Sequence, residues 1–119
     1  MKRILIAAAV LLVSSSVAHS QEKVTLLEWK ILMPRDTFPA GRRTFEVKNL
    51  GSMTHGFKLK GVGVDTAMRD LAKNETGNFS IVLKPGTYEL YCPLAENSHK
   101  MAGMTKTLVV TAAPAKPPL

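Results

Sequence analysis

Once His19 is set aside with the N-terminal leader, the remaining chain has one cysteine, Cys92, and two histidines, His55 and His99, whose side chains could bind a soft metal ion. His99 follows Cys92 by seven residues, and two methionines, Met101 and Met104, come within the next five. Two imidazoles, one thiolate and a weak thioether suit copper, because copper accepts soft ligands in both of its states, Cu(I) and Cu(II). The sequence therefore predicts a site for one copper ion.

Zinc is the alternative metal, since zinc can bind one cysteine and two histidines with water as the fourth ligand. A thioether disfavours zinc, and Glu96 is the sole candidate for a general base in the loop. Core packing is a second alternative, because single cysteines and methionines often pack in protein interiors. All these donors fall in two loops that the fold should bring together, which favours a copper site over a zinc site and over simple core packing. We interpret several further residues as packing or surface residues: Met33, Met53, Met68, Trp29 and Tyr91.

The two methionines of the second loop compete for the role of axial ligand. Met104 has the same parity as Leu108 and Val110 in the last predicted strand, so its side chain should point inward. Gly103 before it allows the chain to turn into that strand. Met101 lies so near the second histidine that it should face outward. Met104 is therefore the expected axial ligand.

Short strands must position these donors, because apolar and polar residues alternate in runs that Gly, Asn or Pro interrupt. His55 shares the inward parity of Phe57, and Cys92 shares that of Leu90, so both should reach the same end of a sandwich. Strands are predicted over residues 27–31, 44–48, 57–60, 79–84, 87–92 and 105–111.

Local turn and helix signals complete the predicted fold. Leu27, Trp29 and Ile31 share one face of the first strand, and the turn at 84–86 predicts a hairpin. The only helical candidate is residues 65–73. Many short strands and so little helix predict an all-β fold, a Greek-key antiparallel β-sandwich with at most one short helix.

The N-terminus predicts export. Lys2 and Arg3 precede an apolar run over residues 4–13, which is too short for a membrane span and typical of a signal peptide. We expect cleavage before Gln21 and a periplasmic or secreted protein without a membrane span. The chain then divides into a signal peptide (1–20), a metal-binding domain (21–111) and a flexible tail (112–119).

The charge of the chain limits its partners. Removal of Lys2 and Arg3 lowers the formal net charge from +7 to about +5. The basic residues are scattered and lack interleaved aromatic residues, which argues against nucleic-acid binding. An acidic partner protein or an anionic membrane surface fits the charge better. With a single cysteine the chain cannot form an internal disulfide, and we expect a monomer.

Three segments carry a resemblance to the small blue copper proteins, the cupredoxins. Residues 49–57 resemble the N-x-G-x-x-x-H segment of plastocyanin, pseudoazurin and their relatives. Residues 83–92 resemble the family's L-x-P-G-x-Y-x-x-x-C segment, and residues 99–104 its H-x-x-A-G-M segment. The resemblance implies a cupredoxin sandwich, a type 1 copper site and electron transfer. It implies three equatorial ligands and one axial ligand, namely His55, Cys92 and His99 with Met104.

Two features depart from the family pattern. Six residues, 93–98, separate the cysteine from the second histidine, whereas cupredoxins usually have two to four there. Gly56 also follows the first histidine where some relatives carry Asn, so a side chain that could tie the two loops together is missing. These departures concern the rigidity of the site, its spectrum and its potential more than the identity of the ligands.

Electron transfer is the predicted function, with redox partner proteins and without catalytic residues or an organic cofactor. The alternative is a periplasmic copper-delivery or copper-resistance protein, because the extra methionines and the long loop suit loosely held Cu(I). An enzyme is not expected, since the chain offers no second copper site for a substrate. Met101, Ala102 and Gly103 should form a small apolar patch at which partners dock.

Overall fold

The computed structural model describes residues 9–10 and 21–113. Within these residues the chain forms nine strands and one short helix. In chain order these are β1 (Gln21–Leu27), β2 (Lys30–Leu32), β3 (Thr37–Pro39), β4 (Gly41–Asn49), β5 (Lys58–Gly61), β6 (Val64–Ala67), β7 (Thr76–Leu83), β8 (Gly86–Tyr91), α1 (Ser98–Met101) and β9 (Thr105–Thr111).

The strands form two sheets that pack face to face. One sheet has the order β2-β1-β4-β7 and the other β3-β9-β8-β5-β6. The all-β sandwich predicted from the sequence is thus confirmed, but its sheets are mixed rather than purely antiparallel. β1 pairs with β4, and β3 with β9, in parallel. A parallel pair requires a crossover connection, and the chain makes one by passing through β3 in the other sheet between β1 and β4.

The inward side chains of the two sheets form one apolar core. The alternation predicted for Phe45 and Val47 and for Phe57 and Leu59 is confirmed, since all four are buried. The Phe45 ring lies against three other phenylalanines, with ring centroids 5.8 Å from Phe57 and 6.2 Å from both Phe38 and Phe79. Such tilted and edge-to-face pairs stabilise a core beyond the area they bury. This cluster packs β4 and β7 of one sheet against β3 and the residue before β5 in the other.

The first predicted strand is wrong in its extent, and of the side chains predicted to face inward only Ile31 is buried. The chain turns at residues 28–29, so that β1 and β2 form a hairpin in which Leu27 pairs with Lys30. Leu26 is buried, whereas Trp29 is 43% exposed and has a φ of 60°. The buried side chains have even numbers in β1 and an odd number in β2, because the turn shifts the inward face by one residue. A short alternating run does not reveal such a shift.

The predicted hairpin at residues 84–86 is also wrong. β7 belongs to the four-stranded sheet and β8 to the five-stranded sheet, so this turn passes from one sheet to the other. The Tyr88 hydroxyl donates a hydrogen bond to the Lys84 carbonyl at 2.8 Å and accepts one from the Lys84 N–H at 3.1 Å. Turn residues predict a reversal of the chain but not the sheet that the next strand joins.

The helix lies elsewhere than predicted. Within residues 65–73, Asp65 to Ala67 belong to the edge strand β6, whose backbone pairs with β5. The Asp65 carboxylate lies 3.0 Å from the Lys58 ammonium across this pair. Pairing with a neighbouring strand therefore outweighs the weak local helix signal. The helix of the described chain is α1, in the loop that carries His99.

The predicted signal peptide and tail lie mostly outside the described residues and remain predictions. In the described part of the chain, no helix has the length and apolar character needed to cross a membrane. The strands run from Gln21 to Thr111.

Candidate metal centre

Three side chains meet at one end of the sandwich. One potential ligand atom from each of His55, Cys92 and His99 lies within 4.8 Å of the other two. His55 and Cys92 are fully buried, and His99 is partly exposed. The His99 Nδ1 atom lies 3.6 Å from the Cys92 sulfur. The structure therefore brings together the two histidines and the cysteine that the sequence singled out.

Asn49, at the end of β4, organises the loop that carries the first histidine. Its buried side-chain amide donates hydrogen bonds to the carbonyls of Met53 at 2.9 Å and Leu71 at 2.8 Å. The side-chain oxygen of Asn49, Oδ1, accepts a hydrogen bond from the Gly51 N–H at 2.9 Å. His55 itself exchanges two backbone hydrogen bonds with Leu71, of 2.9 and 3.0 Å. Both sides of the loop are thus anchored to the same residue.

Cys92 follows β8 and is held on both sides. Its backbone N–H donates to the Met104 carbonyl at 3.1 Å, and its sulfur accepts a hydrogen bond from the Gly56 N–H at 3.2 Å. The two ligand loops are therefore joined at Gly56 by backbone rather than by a side chain. A Cβ at Gly56 would lie 3.0 Å from both Asp70 and Pro93. Glycine fits this close contact better than a larger residue does.

The long loop before His99 is folded rather than extended. Ala95, Glu96 and Asn97 have φ angles of 53°, 52° and 67°, after which α1 begins. The Met104 N–H donates to the His99 carbonyl at 3.1 Å, which closes the loop onto β9. The additional residues of this loop thus form a left-handed turn and the short helix.

Contacts on both sides orient α1 and the His99 ring. The ring packs edge-on against Trp29, with ring centroids 5.3 Å apart. The Lys100 ammonium lies 2.7 Å from the Glu89 carboxylate and 4.3 Å from the centroid of the Tyr91 ring. This ion pair lowers the pKa of Glu89, although desolvation opposes the shift. α1 is therefore attached to β8, the strand that leads to the cysteine.

The two methionines of this loop have opposite environments. Met104 is fully buried, whereas Met101 is 82% exposed. These positions agree with the inward and outward directions inferred from strand parity. The role of Met104 as axial ligand remains a prediction.

Glu28, in the turn between β1 and β2, also reaches the site, and no motif or spacing in the sequence pointed to this residue. Its Oε1 atom lies 3.3 Å from His55 Nε2 and accepts hydrogen bonds from the N–H groups of Ser52 at 2.6 Å and Met53 at 3.2 Å. Desolvation raises the pKa of this carboxyl. The bonds from these two N–H groups, from its own N–H and from the His55 ring outweigh desolvation and lower the pKa to about 2.

The donor atoms fit a copper ion. His55 Nδ1 is buried and has no hydrogen-bond partner within residues 21–113, and such a group costs stability unless something satisfies it. His55 is one of the three residues that each place a potential ligand atom within 4.8 Å of the other two. Two imidazoles and a thiolate in this arrangement are typical ligands of copper. A metal ion at this point would satisfy the unpaired nitrogen.

The fold and this donor cluster define a metal-binding β-sandwich. The family model of the cupredoxin-like domain matches residues 2–110, and the chain belongs to this family. Cupredoxins bind copper and the three donors are positioned to hold a metal ion, so the copper cofactor expected from the sequence is confirmed.

The fold is shared with a solved protein of low sequence identity. The chain is similar to dithionite-reduced auracyanin from the photosynthetic bacterium Roseiflexus castenholzii, with a TM-score of 0.62 and 17% identity. The similarity covers 83% of this chain and 100% of that chain, and at this identity it supports the fold alone. No curated protein matches the chain.

Proposed function

We propose that this cupredoxin carries single electrons between partner proteins through one copper ion. The observation that carries the proposal is the group of three donors from His55, Cys92 and His99, held within 4.8 Å of one another at the end of the sandwich. A bound copper ion would supply a one-electron couple between Cu(I) and Cu(II). We assign these three residues as ligands through His55 Nδ1, the Cys92 sulfur and a His99 ring nitrogen, with the Met104 thioether as axial ligand.

The protein's part in electron transfer is to keep the donors in place when the charge of the metal changes. Asn49 ties the first loop to Leu71, and the Gly56 N–H ties that loop to the Cys92 sulfur. Met104 closes the second loop through hydrogen bonds to both Cys92 and His99. Little movement of the ligands is therefore needed between the two states, which favours fast electron exchange.

We infer that electrons enter and leave near His99, the one partly exposed residue among the three donors. Met101, Ala102 and Gly103 next to it are exposed, as are the apolar side chains of Leu50 and Met53. A docking partner would bring its own redox centre close to this surface. The positive net charge of the chain favours an acidic partner.

Voltammetry of the copper-loaded protein tests the proposal. The apo-protein is loaded with one equivalent of Cu(II), and the visible spectrum and the voltammogram are recorded. An electron carrier gives an intense thiolate-to-copper band and a reversible one-electron wave. A colourless protein without a reversible wave contradicts the proposal.

Copper delivery or copper resistance is the second candidate, because exposed methionines lie close to the site. Met101 is 82% exposed and Met53 is 42% exposed, and thioethers bind Cu(I) well. A delivery protein would lose Cu(I) quickly to a chelator and pass it to an apo-acceptor. Slow release together with a stable coloured form would favour the electron carrier.

We also propose that the chain is exported and is not an enzyme. The charged and apolar residues before position 20 support export. For a zinc enzyme, Glu96 would have to act as the general base, yet its side chain is exposed. Glu28 does reach the site, but its Oε1 atom already accepts several hydrogen bonds from the first loop.

A further inference from the structure

The turn between β1 and β2 contacts both histidine rings of the metal centre. Glu28 lies beside His55, with 3.3 Å between the carboxylate Oε1 and the ring Nε2. The next residue, Trp29, packs edge-on against the ring of His99. Two consecutive residues of this turn therefore touch the two imidazoles that we assign as ligands.

The two nitrogens of the His55 ring have opposite environments. Nε2 faces the Glu28 carboxylate, whereas Nδ1 is buried without a hydrogen-bond partner in residues 21–113. A neutral imidazole carries one proton, and the nitrogen without the proton offers its lone pair. A carboxylate accepts a hydrogen bond and cannot donate one when it is ionised. The proton therefore belongs on Nε2, and the lone pair on Nδ1 is free for a metal ion.

The Glu28 carboxylate is itself held in place. The N–H groups of Ser52 and Met53 and the Ser52 hydroxyl all donate to its Oε1 atom. A Cβ at Gly51 would collide with the same oxygen and would lie 2.7 Å from His55 Nε2. The carboxylate is only 31% exposed, and His55 is fully buried. The loop closes around the pair, which leaves the ring little freedom to rotate.

We propose that Glu28 is a positioning residue of the copper site, which holds His55 with its proton on Nε2 and whose negative charge favours Cu(II) over Cu(I). The proposal rests on the proposed copper site. A carboxylate on the far nitrogen of a metal-binding histidine fixes the tautomer and increases the basicity of the ligand, and removing such a partner typically weakens metal binding 10- to 100-fold. The more highly charged ion gains more from a basic ligand and a nearby negative charge.

Three variants test this role. Glu28→Gln keeps the shape and a hydrogen-bond acceptor but removes the charge, whereas Glu28→Ala removes both. Glu96→Gln is the matched control, because Glu96 is an exposed glutamate in the ligand loop and the same charge is removed. The reduction potential is measured by voltammetry on the copper-loaded proteins. The His55 tautomer is measured by nitrogen NMR on the apo-proteins.

The expected result is a higher potential in both Glu28 variants. A tenfold loss of Cu(II) affinity relative to Cu(I) corresponds to about 59 mV for a one-electron couple. Glu28→Gln should show about this tenfold loss and Glu28→Ala more, while Glu96→Gln shows a smaller shift. In the apo-protein, the wild type and Glu28→Gln should carry the His55 proton on Nε2, whereas Glu28→Ala should give a mixture of tautomers.

Glu28 variants with the potential and the tautomer of the wild type would overturn the inference. Failure of the proposed function would look different, because the wild type itself would then give no reversible wave. In that case the tautomer of the apo-protein still decides the role of Glu28. If Glu28→Ala does not fold, Glu28→Gln alone decides, and an unchanged potential in that variant overturns the inference.

Discussion

Cys92 is the residue on which the colour of the copper site should depend. Its sulfur is buried, accepts a hydrogen bond from Gly56 and lies beside His99. Cys92→Ser replaces the thiolate by a hydroxyl of similar size. We expect the thiolate-to-copper absorption to disappear, while circular dichroism shows an intact sandwich. A variant that keeps the band would mean that another group gives the copper its colour.

Met104 is the second residue whose role can be tested by substitution. A thioether donates weakly along the axis of such a site and tunes its potential. Met104→Leu should raise the reduction potential and Met104→Gln should lower it, with the visible band largely kept in both. Met101→Leu is the control, because Met101 is 82% exposed, and it should change little. A potential that moves in Met101→Leu and not in Met104→Leu would make the assignment wrong.

At the scale of single residues, the sequence was enough to predict that His55, Cys92 and His99 lie together, but not which side chains surround them. His55 and Cys92 could be placed because the alternation of their strands fixes the face to which they point. Glu28 could not be found, because it meets His55 across 27 positions of sequence. Its place in an exposed-looking run gave no indication that the chain turns there. This contact depends on the parallel pairing of β1 with β4, which brings the segments that follow the two strands together.

At the scale of elements, the turn at residues 28–29 and the loop before β9 pack closely together at Gly103. Gly103 has a φ of 130°, and a Cβ there would lie 2.7 Å from the Trp29 carbonyl oxygen. Gly41 has nearly the same φ, 129°, but a Cβ there would meet nothing within 4 Å. A side chain at either glycine would strain the backbone, but only at Gly103 would it also collide with the turn at residues 28–29. Comparison of the two positions therefore isolates the effect of that contact.

Alanine at these two positions should therefore have different effects. Gly41→Ala should lower the free energy of unfolding by about 1–3 kcal/mol, the usual cost of such a backbone conformation. Gly103→Ala should cost more than Gly41→Ala and should also shift the copper spectrum, because the turn beside His99 must move. Denaturant unfolding and the visible spectrum measure the two effects. Equal losses with an unchanged spectrum would show that the contact with Trp29 does not matter.

The elements themselves were predictable where local pattern and tertiary contacts agree. The buried alternation around Phe45 and Phe57 agrees with the observed strands because both face one core. The turn at residues 84–86 was predicted, but not its passage between the sheets, since that depends on which partner β8 pairs with. The prediction of a helix over residues 65–73 is wrong for a similar reason. There Asp65 to Ala67 pair with β5 and form the edge of the five-stranded sheet.

At the scale of the whole molecule, the donors lie at one end of the sandwich and His99 is nearest to the solvent. A partner should therefore dock on the exposed surface around Ala102. Ala102→Glu should slow electron exchange with partners severalfold while the spectrum hardly changes. Ala112→Glu is the matched control, because Ala112 is exposed beyond the far end of β9. Stopped-flow mixing with a redox partner gives the rates, and equal rates in both variants would place docking elsewhere.

The central claim is that the sandwich holds copper in one arrangement of ligands in both oxidation states. X-ray absorption of the copper-loaded protein, recorded before and after reduction, tests this claim most directly. We predict one short copper–sulfur bond and two copper–nitrogen bonds in both states, with only small changes in length. Loss of the sulfur on oxidation, or its replacement by several oxygen or nitrogen ligands, would contradict the proposed electron carrier.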